Sequence, residues 1–487
     1  MGAITLLTSA MALALAAPPS AGWSAPPQTV QIDPSRLAGL PDFIDGVMAQ
    51  QIATRDVAGA VITIVYRGKV LFTRGYGYAD IDRRIPVDPQ RTLFRPGSVS
   101  KLFTWAALMQ QVEAGRVDLD ADVNRYLDFK IPDSKSKPIK VRDLMSHIAG
   151  FGDQSDITAD KVEDLVPYRT WMKDHIAMRV REPGVESQYS NDGAALAGYI
   201  VEMVSGEPYA DYAQKHIFAP LGMADTTFRE PLTGSQADRM AQGYKLVDGR
   251  LVAKPFELFS KIMPAGSASA TAPDMARFIQ AMLNDGTLGS TRILKPASVA
   301  LLESDGFKNA PNLPGFAHGF MVLREAGPRM VEHGGNTVDQ HSFLLLAPEA
   351  QFGFFVSETG GPGSYPGRTE LVQAVIGRLF PVKPAPRWTG VETPAPMGAY
   401  RTNRQDYSKP ADPKGDLKVS AAGSHALVTE QGGQKLYWQQ VGLNLFEQAT
   451  GARDGGPYEQ LEFYGPANDP RLSFSSQPHV LYRLVKP

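Results

Sequence analysis

The chain contains no cysteine. That excludes disulfides, thiolate metal sites, a cysteine nucleophile and a lipidated N-terminal cysteine. Histidine is sparse, with 8 in 487 residues and no His-x-x-x-His or His-Glu pair, so no zinc site is predicted. No motif calls for a cofactor. Charge of one sign is not in excess: 49 Lys and Arg face 51 Asp and Glu, for a net charge of −2. No basic surface then argues for nucleic acid or anionic lipid as a partner. After the first residues, no apolar run is long enough to span a membrane, so the mature chain is expected to have no membrane span. Internal repeats are absent.

What is present is ordinary globular sequence, 43% apolar and 21% charged, long enough for two or more domains. Residues 1–25 read as a signal peptide. Ile4 to Ala17 is apolar apart from Thr and Ser, and small residues and prolines follow. The leading segment carries no Lys or Arg. The expected destination is the periplasm or the exterior. Five prolines fall in residues 381–397, and 383–397 is taken as a linker. It divides a large domain, 31–382, from a smaller one, 398–487. In the large domain, residues 33–55 carry a helical stripe. Residues 57–80 read as a hairpin turning at Arg67-Gly68-Lys69. A further pair of strands is expected at His341–Leu346 and Phe352–Ser357, and a closing helix at Arg368–Phe380. Residues 215–232 read as helix end, turn and strand. In the small domain, short strands recur every 8–12 residues between Gly-rich turns, the pattern of an antiparallel sandwich or barrel.

The large domain is organised around Phe94–Leu108, FRPGSVSKLFTWAAL. Pro96-Gly97 is a turn signal, and an Ala-rich apolar run follows at helical spacing. Ser98 therefore sits at or just before a helix N-terminus, with Lys101 one turn further in on the same face. A serine hydroxyl needs a base to become a nucleophile, and a lysine three residues on can be held against it. A cation there opposes the helix dipole by ~0.3–1 kcal/mol. The arrangement favours a neutral, basic lysine. Ser-x-x-Lys recurs at Ser134–Lys137, but in a Lys- and Pro-rich stretch with no apolar helix behind it. That copy reads as a solvated loop.

Two more stretches carry chemistry. Tyr189-Ser190-Asn191 precedes a helix expected from Ala194 to Ser205, and in a turn the Tyr189 and Asn191 side chains can point the same way. Taken alone, the pair could equally be a packed tyrosine and an N-cap asparagine. His333-Gly334-Gly335-Asn336 precedes two strands. Its glycines let a ligand lie against the backbone.

In this order, Ser98-x-x-Lys101, Tyr189-Ser190-Asn191 and His333-Gly334-Gly335 resemble the serine β-lactamase and penicillin-binding protein superfamily. The likeness is to its class C-like branch, which includes family VIII carboxylesterases and D-aminopeptidase- and DD-carboxypeptidase-like hydrolases. Flanking text agrees: LMSHIAGF, SGEPYADYAQKHIFAPLGMADTTF and PAGSASATAPDMARFIQ. The resemblance covers roughly residues 33–382. It implies an α+β fold: an antiparallel sheet built from both ends of the domain, flanked by helices, with a helical region inserted and the site in the cleft. It implies Ser98 as nucleophile and Lys101 with Tyr189 for the acid and base work. Asn191 would hold Lys101 and the substrate. The backbone N–H groups of Ser98 and Asn336 would form the oxyanion hole, with Asn336 on the edge strand beside Gly335. His333 and Gly334 stand where those enzymes usually carry Lys and Thr. A partly charged histidine and a lost hydroxyl therefore predict weak β-lactam turnover.

The expected activity is an exported serine hydrolase acting on a small ester or a D-amino-acid peptide through a Ser98 acyl-enzyme, with a small molecule or short peptide as its substrate. A binding or sensor protein that acylates once is the alternative, and intact Ser98, Lys101 and Tyr189 argue against it. Residues 388–487 contain no Ser-Lys or His-Asp cluster, and His425 and His479 are read as surface or barrel residues. That predicts an accessory β domain that covers one edge of the catalytic domain or shapes the cleft. It also predicts that a chain ending near Pro386 still folds and keeps its Ser98 reactivity toward a small probe but changes its preference among larger substrates.

Overall fold

A computed structural model describes residues 30–486, apart from 133–136, 155, 160, 326, 362, 392–394 and 450–454. The expected signal peptide and Ser134 lie outside the described residues. The fold is α+β: a nine-stranded antiparallel sheet with helices on both faces, and a closed eight-stranded antiparallel barrel at the C-terminal end.

The sheet is built from both ends of the large domain. Gly59–Tyr66 and Lys69–Asp80 form the expected hairpin, and Arg67 and Gly68 take the positive φ values (49° and 73°) of a tight hairpin turn. Gly59–Tyr66 pairs on its other side with Phe352–Thr359, which comes almost 300 residues later. Gln340–Ala347 and Met330–Asn336 follow in order, and Met321–Arg324 continues beyond them. Gly59–Tyr66 reads as unbroken apolar sequence because both faces are covered. Val61 and Val65 pack among the inserted helices. Ala60, Ile62 and Ile64 pack against Leu40–Ala53 and Ser364–Leu379.

Several elements differ in extent from the sequence expectation. The stripe over 33–55 is two helices, Pro34–Leu37 and Leu40–Ala53, because Gly39 between them is left-handed (φ 65°). The closing helix starts a turn early, at Ser364. Within residues 215–232 no strand forms; Thr227 makes only an isolated bridge to Ser269. Helix Lys101–Glu113 has ten of its thirteen residues buried, so it is a central helix packed all round rather than an amphipathic one.

The barrel runs from Gly398–Thr402 to Tyr482–Leu484, and these two strands pair to close it. Two of its strands, Gly398–Thr402 and Arg471–Phe474, carry no clear pattern and were not expected. Trp438, Phe446, Phe463 and Tyr482 fill its centre, as their alternation predicts, and Tyr400 joins them.

Candidate active site

The nucleophile turn is a 3₁₀ turn, Gly97–Ser100, that feeds the helix Lys101–Glu113. Ser98 stays partly exposed while Lys101 is fully buried. Gly97 is left-handed (φ 53°), and a Cβ there would lie 2.8 Å from the Asn336 backbone nitrogen. A Cβ on Gly335 would lie 1.9 Å from the Pro96 carbonyl oxygen. Two glycines, one on each side, therefore let the nucleophile turn and the strand Met330–Asn336 come together. That strand is not at the sheet edge. It pairs with Met321–Arg324, but only as far as Glu332. Its Gly334–Asn336 end thus runs past its neighbour, and Gly334 and Asn336 face the cleft.

Lys101 Nζ makes three contacts: Ser98 Oγ at 3.0 Å, Asn191 Oδ1 at 2.8 Å and the Ala265 carbonyl oxygen at 2.7 Å. Burial pushes its pKa well below the ordinary lysine value, and the charge of Arg404 adds to this. A neutral amine has two N–H groups and one lone pair. Asn191 and Ala265 offer only acceptors, so they take both protons. The lone pair is then left facing Ser98 Oγ. This is the geometry of a base poised on a hydroxyl. The Tyr189 hydroxyl also hydrogen-bonds Ser98, and burial holds its own pKa high.

Asn191 begins the helix Asn191–Ser205, and Ser190 is the N-cap, accepting from Gly193 N. Asn191 is therefore not the cap, and its side chain is available to Lys101. Tyr189 is held from both sides. His147 stacks on its ring at 4.6 Å and 18°. Nδ1 of His147 accepts from Ser190 N at 2.9 Å, which leaves the ring proton on Nε2. His147 lies in the LMSHIAGF stretch, so its position was marked in the sequence although its contact was not.

His333 and Gly335 point away from the cavity, as strand alternation requires. His333 is completely buried, with Nδ1 2.7 Å from the Gly334 carbonyl oxygen. Burial, and then the charge of Lys101, depresses its pKa to about 3. It is neutral near pH 7, not partly charged as expected. Asn336 Oδ1 accepts from Arg368 Nη1 at 3.1 Å, which ties the strand end to the closing helix.

The cavity in front of Ser98 measures about 590 Å³, and the barrel supplies one wall. Here the structure corrects the expectation for His479. His479 is a cleft residue: it lines the cavity, its ring lies 5.4 Å from that of Tyr189, and its carbonyl oxygen accepts from Tyr189 N at 3.4 Å. Arg404 lies with Cζ 5.0 Å from the centre of the Tyr189 ring. Asn403 donates to the Ser187 carbonyl oxygen at 3.1 Å, and Arg483 pairs with the buried Glu186 carboxylate. The segment that carries Tyr189 is thus fastened to the barrel. A chain ending near Pro386 is therefore expected to lose turnover by about 10²-fold or more, since a misplacement of about 1 Å costs that much. Comparing kcat for the two lengths on one small ester checks this.

No group of three or more His, Asp or Glu residues suited to a metal ion occurs among the described residues. None of their helices is long and apolar enough to cross a membrane.

The Beta-lactamase family pattern matches residues 44–375. Protein flp of Staphylococcus aureus (strain N315) is 27% identical over 329 residues, which is 64% of this chain and 62% of flp. The chain thus spans less than two thirds of the length of such curated relatives. Among solved structures, the octameric penicillin-binding protein homologue from Pyrococcus abyssi shares the fold, at 23% identity and TM-score 0.61 over 92% of this chain and all of that one. D-amino acid amidase from Ochrobactrum anthropi SV3, solved with L-phenylalanine amide, is 26% identical with TM-score 0.58, over 70% of this chain and 98% of that one. By the match over residues 44–375, the chain belongs to the beta-lactamase family.

Proposed function

We propose that this protein is exported and hydrolyses a small ester or a D-amino-acid amide through a Ser98 acyl-enzyme. The observation that carries the reading is the contact set of Lys101. Two acceptors consume its protons and turn its lone pair to Ser98 Oγ. In the first half-reaction Ser98 Oγ attacks the substrate carbonyl and its proton passes to Lys101. Tyr189, hydrogen-bonded to Ser98, gives its hydroxyl proton to the leaving group and is reprotonated by Lys101, which regains its lone pair. Backbone N–H groups of Ser98 and Asn336 receive the oxyanion. Water then repeats the sequence on the acyl-enzyme. The leader segment supports export. The likeness to a D-amino acid amidase supports the amide alternative.

Mass spectrometry after treatment with a fluorophosphonate tests the nucleophile: the adduct should map to Ser98 alone. Short p-nitrophenyl esters should be turned over, and a chromogenic cephalosporin should not be turned over efficiently. The buried, neutral His333 places no cation at its position in the strand. Labelling at Ser134, or efficient cephalosporin turnover, would overturn the assignment.

A further inference from the structure

Two arginines line the cavity, Arg368 and Arg404. They differ in what they are already doing. Arg368 is buried and its fork is occupied: Nη1 donates to Asn336 Oδ1 and to the Ser342 carbonyl oxygen at 2.9 Å, and Nη2 to Thr369 at 3.3 Å. The carboxyls of Glu332 and Glu358 act on its charge. It is a built-in part of the strand–helix joint.

Arg404 uses one nitrogen. Its Nε donates to Asp153 Oδ2 at 2.9 Å, and the Asp153 backbone N–H in turn donates to the Gln405 carbonyl oxygen at 2.9 Å. This anchors the side chain at its neck. The paired Nη groups, the end that grips carboxylates bidentately, have no hydrogen-bond partner among the described residues. They lie over Tyr189, whose hydroxyl meets Ser98, so the free fork sits one aromatic ring from the reacting atom.

The surroundings suit an incoming anion. His333 and His479 are neutral, each held down to about 3 first by burial. The carboxyls that share the cavity, Glu332 and Glu459, are raised by burial and so carry less opposing charge. Asp153, the partner of Nε, is not in the cavity wall.

We propose that Arg404, brought to the cleft by the barrel, selects substrates that carry a free carboxylate a few atoms from the scissile carbonyl. This rests on the Ser98 acyl-enzyme reading and narrows its substrate class. It also gives the barrel a direct part in specificity.

The test uses two esters that differ only at the far end of the acyl chain: mono-p-nitrophenyl glutarate, with a carboxylate, and p-nitrophenyl valerate, with a methyl. The quantity read is the ratio of their kcat/KM values. In Arg404→Gln that ratio should fall by about tenfold or more, mainly through KM for the glutarate. Arg404→Lys should recover part of it. A smaller fall overturns the proposal, because a structural role would move both substrates together. The native chain supplies a second reading that does not depend on the variant folding. Free glutarate should slow labelling of Ser98 by a neutral fluorophosphonate, and pentanamide should not. Equal protection by both, or none by glutarate, also overturns the proposal. Absence of any labelling of native Ser98 would instead sink the acyl-enzyme reading, and this inference with it.

Discussion

Ser98→Ala and Lys101→Ala should each reduce turnover by on the order of 10⁶-fold, leaving only the residual rate that the oxyanion hole and binding supply. The two losses should not add, because the residues act as one unit: an alkoxide needs both the hydroxyl and the lone pair that takes its proton. Lys101→Arg should be as inactive as Lys101→Ala. A guanidinium keeps a positive charge and hydrogen-bond donors in the pocket but cannot give up a proton. That variant separates a base from a charge, and activity in it would show that Lys101 works electrostatically. The pH dependence follows from the same shift. Only neutral Lys101 can accept the Ser98 proton, so kcat/KM should rise with pH as Lys101 deprotonates. Because burial lowers its pKa, the rise should finish well below the ordinary lysine value of 10.5. His333 titrates near 3, so it should add no step near neutrality. A rise centred near 10 would show a lysine that is not desolvated.

Tyr189→Phe is expected to cost ~10²–10⁴-fold in kcat, the usual range for a positioned acid–base group. The aromatic body should stay in place, since His147 stacks against it and the barrel holds its backbone. The change therefore removes the hydroxyl and little else. The loss should be larger for an amide than for a p-nitrophenyl ester, because an amine needs a proton to leave and nitrophenolate does not. Measuring both substrates checks the role as well as the size. Equal losses on the two would mean that Tyr189 positions Ser98 without protonating the leaving group. A loss below tenfold on both would mean that Lys101 serves alone.

Much of the site is written locally. Ser98 and Lys101 are one turn apart, so a single helix start is enough to place them. Tyr189 and Asn191 sit in one turn, and the glycines of 334–335 announce a backbone that something approaches closely. The β-rich apolar runs within 57–80 and at 352–357 likewise read directly as strands. What escaped lies between distant parts of the chain. Arg404 and His479 are ordinary residues in their own surroundings, and nothing within ten residues of either marks a cleft. Their meaning comes from contacts with Asp153 and Tyr189, some 250 and 290 residues away. The strands Gly398–Thr402 and Arg471–Phe474 were missed for a related reason. Each is four or five residues long and takes its order from neighbours in the barrel rather than from its own pattern. His333 shows the same limit in reverse. Its charge state is set by depth of burial, which one residue's identity does not encode.

The close approach of the nucleophile turn to the strand Met330–Asn336 also sets how freely this motif can be rewritten. At Gly334 an added Cβ meets nothing nearer than Arg368 Nη1, at 3.6 Å, an ordinary contact. At Gly335 it would collide with a main-chain oxygen, and at Gly97 with a main-chain nitrogen, neither of which a side-chain rotation can move aside. Position 334 is thus open to threonine or serine, which would place a hydroxyl on the substrate side of the strand. Positions 97 and 335 are closed to every residue with a side chain. A library built to convert this enzyme to new substrates should vary 334 and leave the other two untouched. Its useful diversity at the motif is a single codon wide.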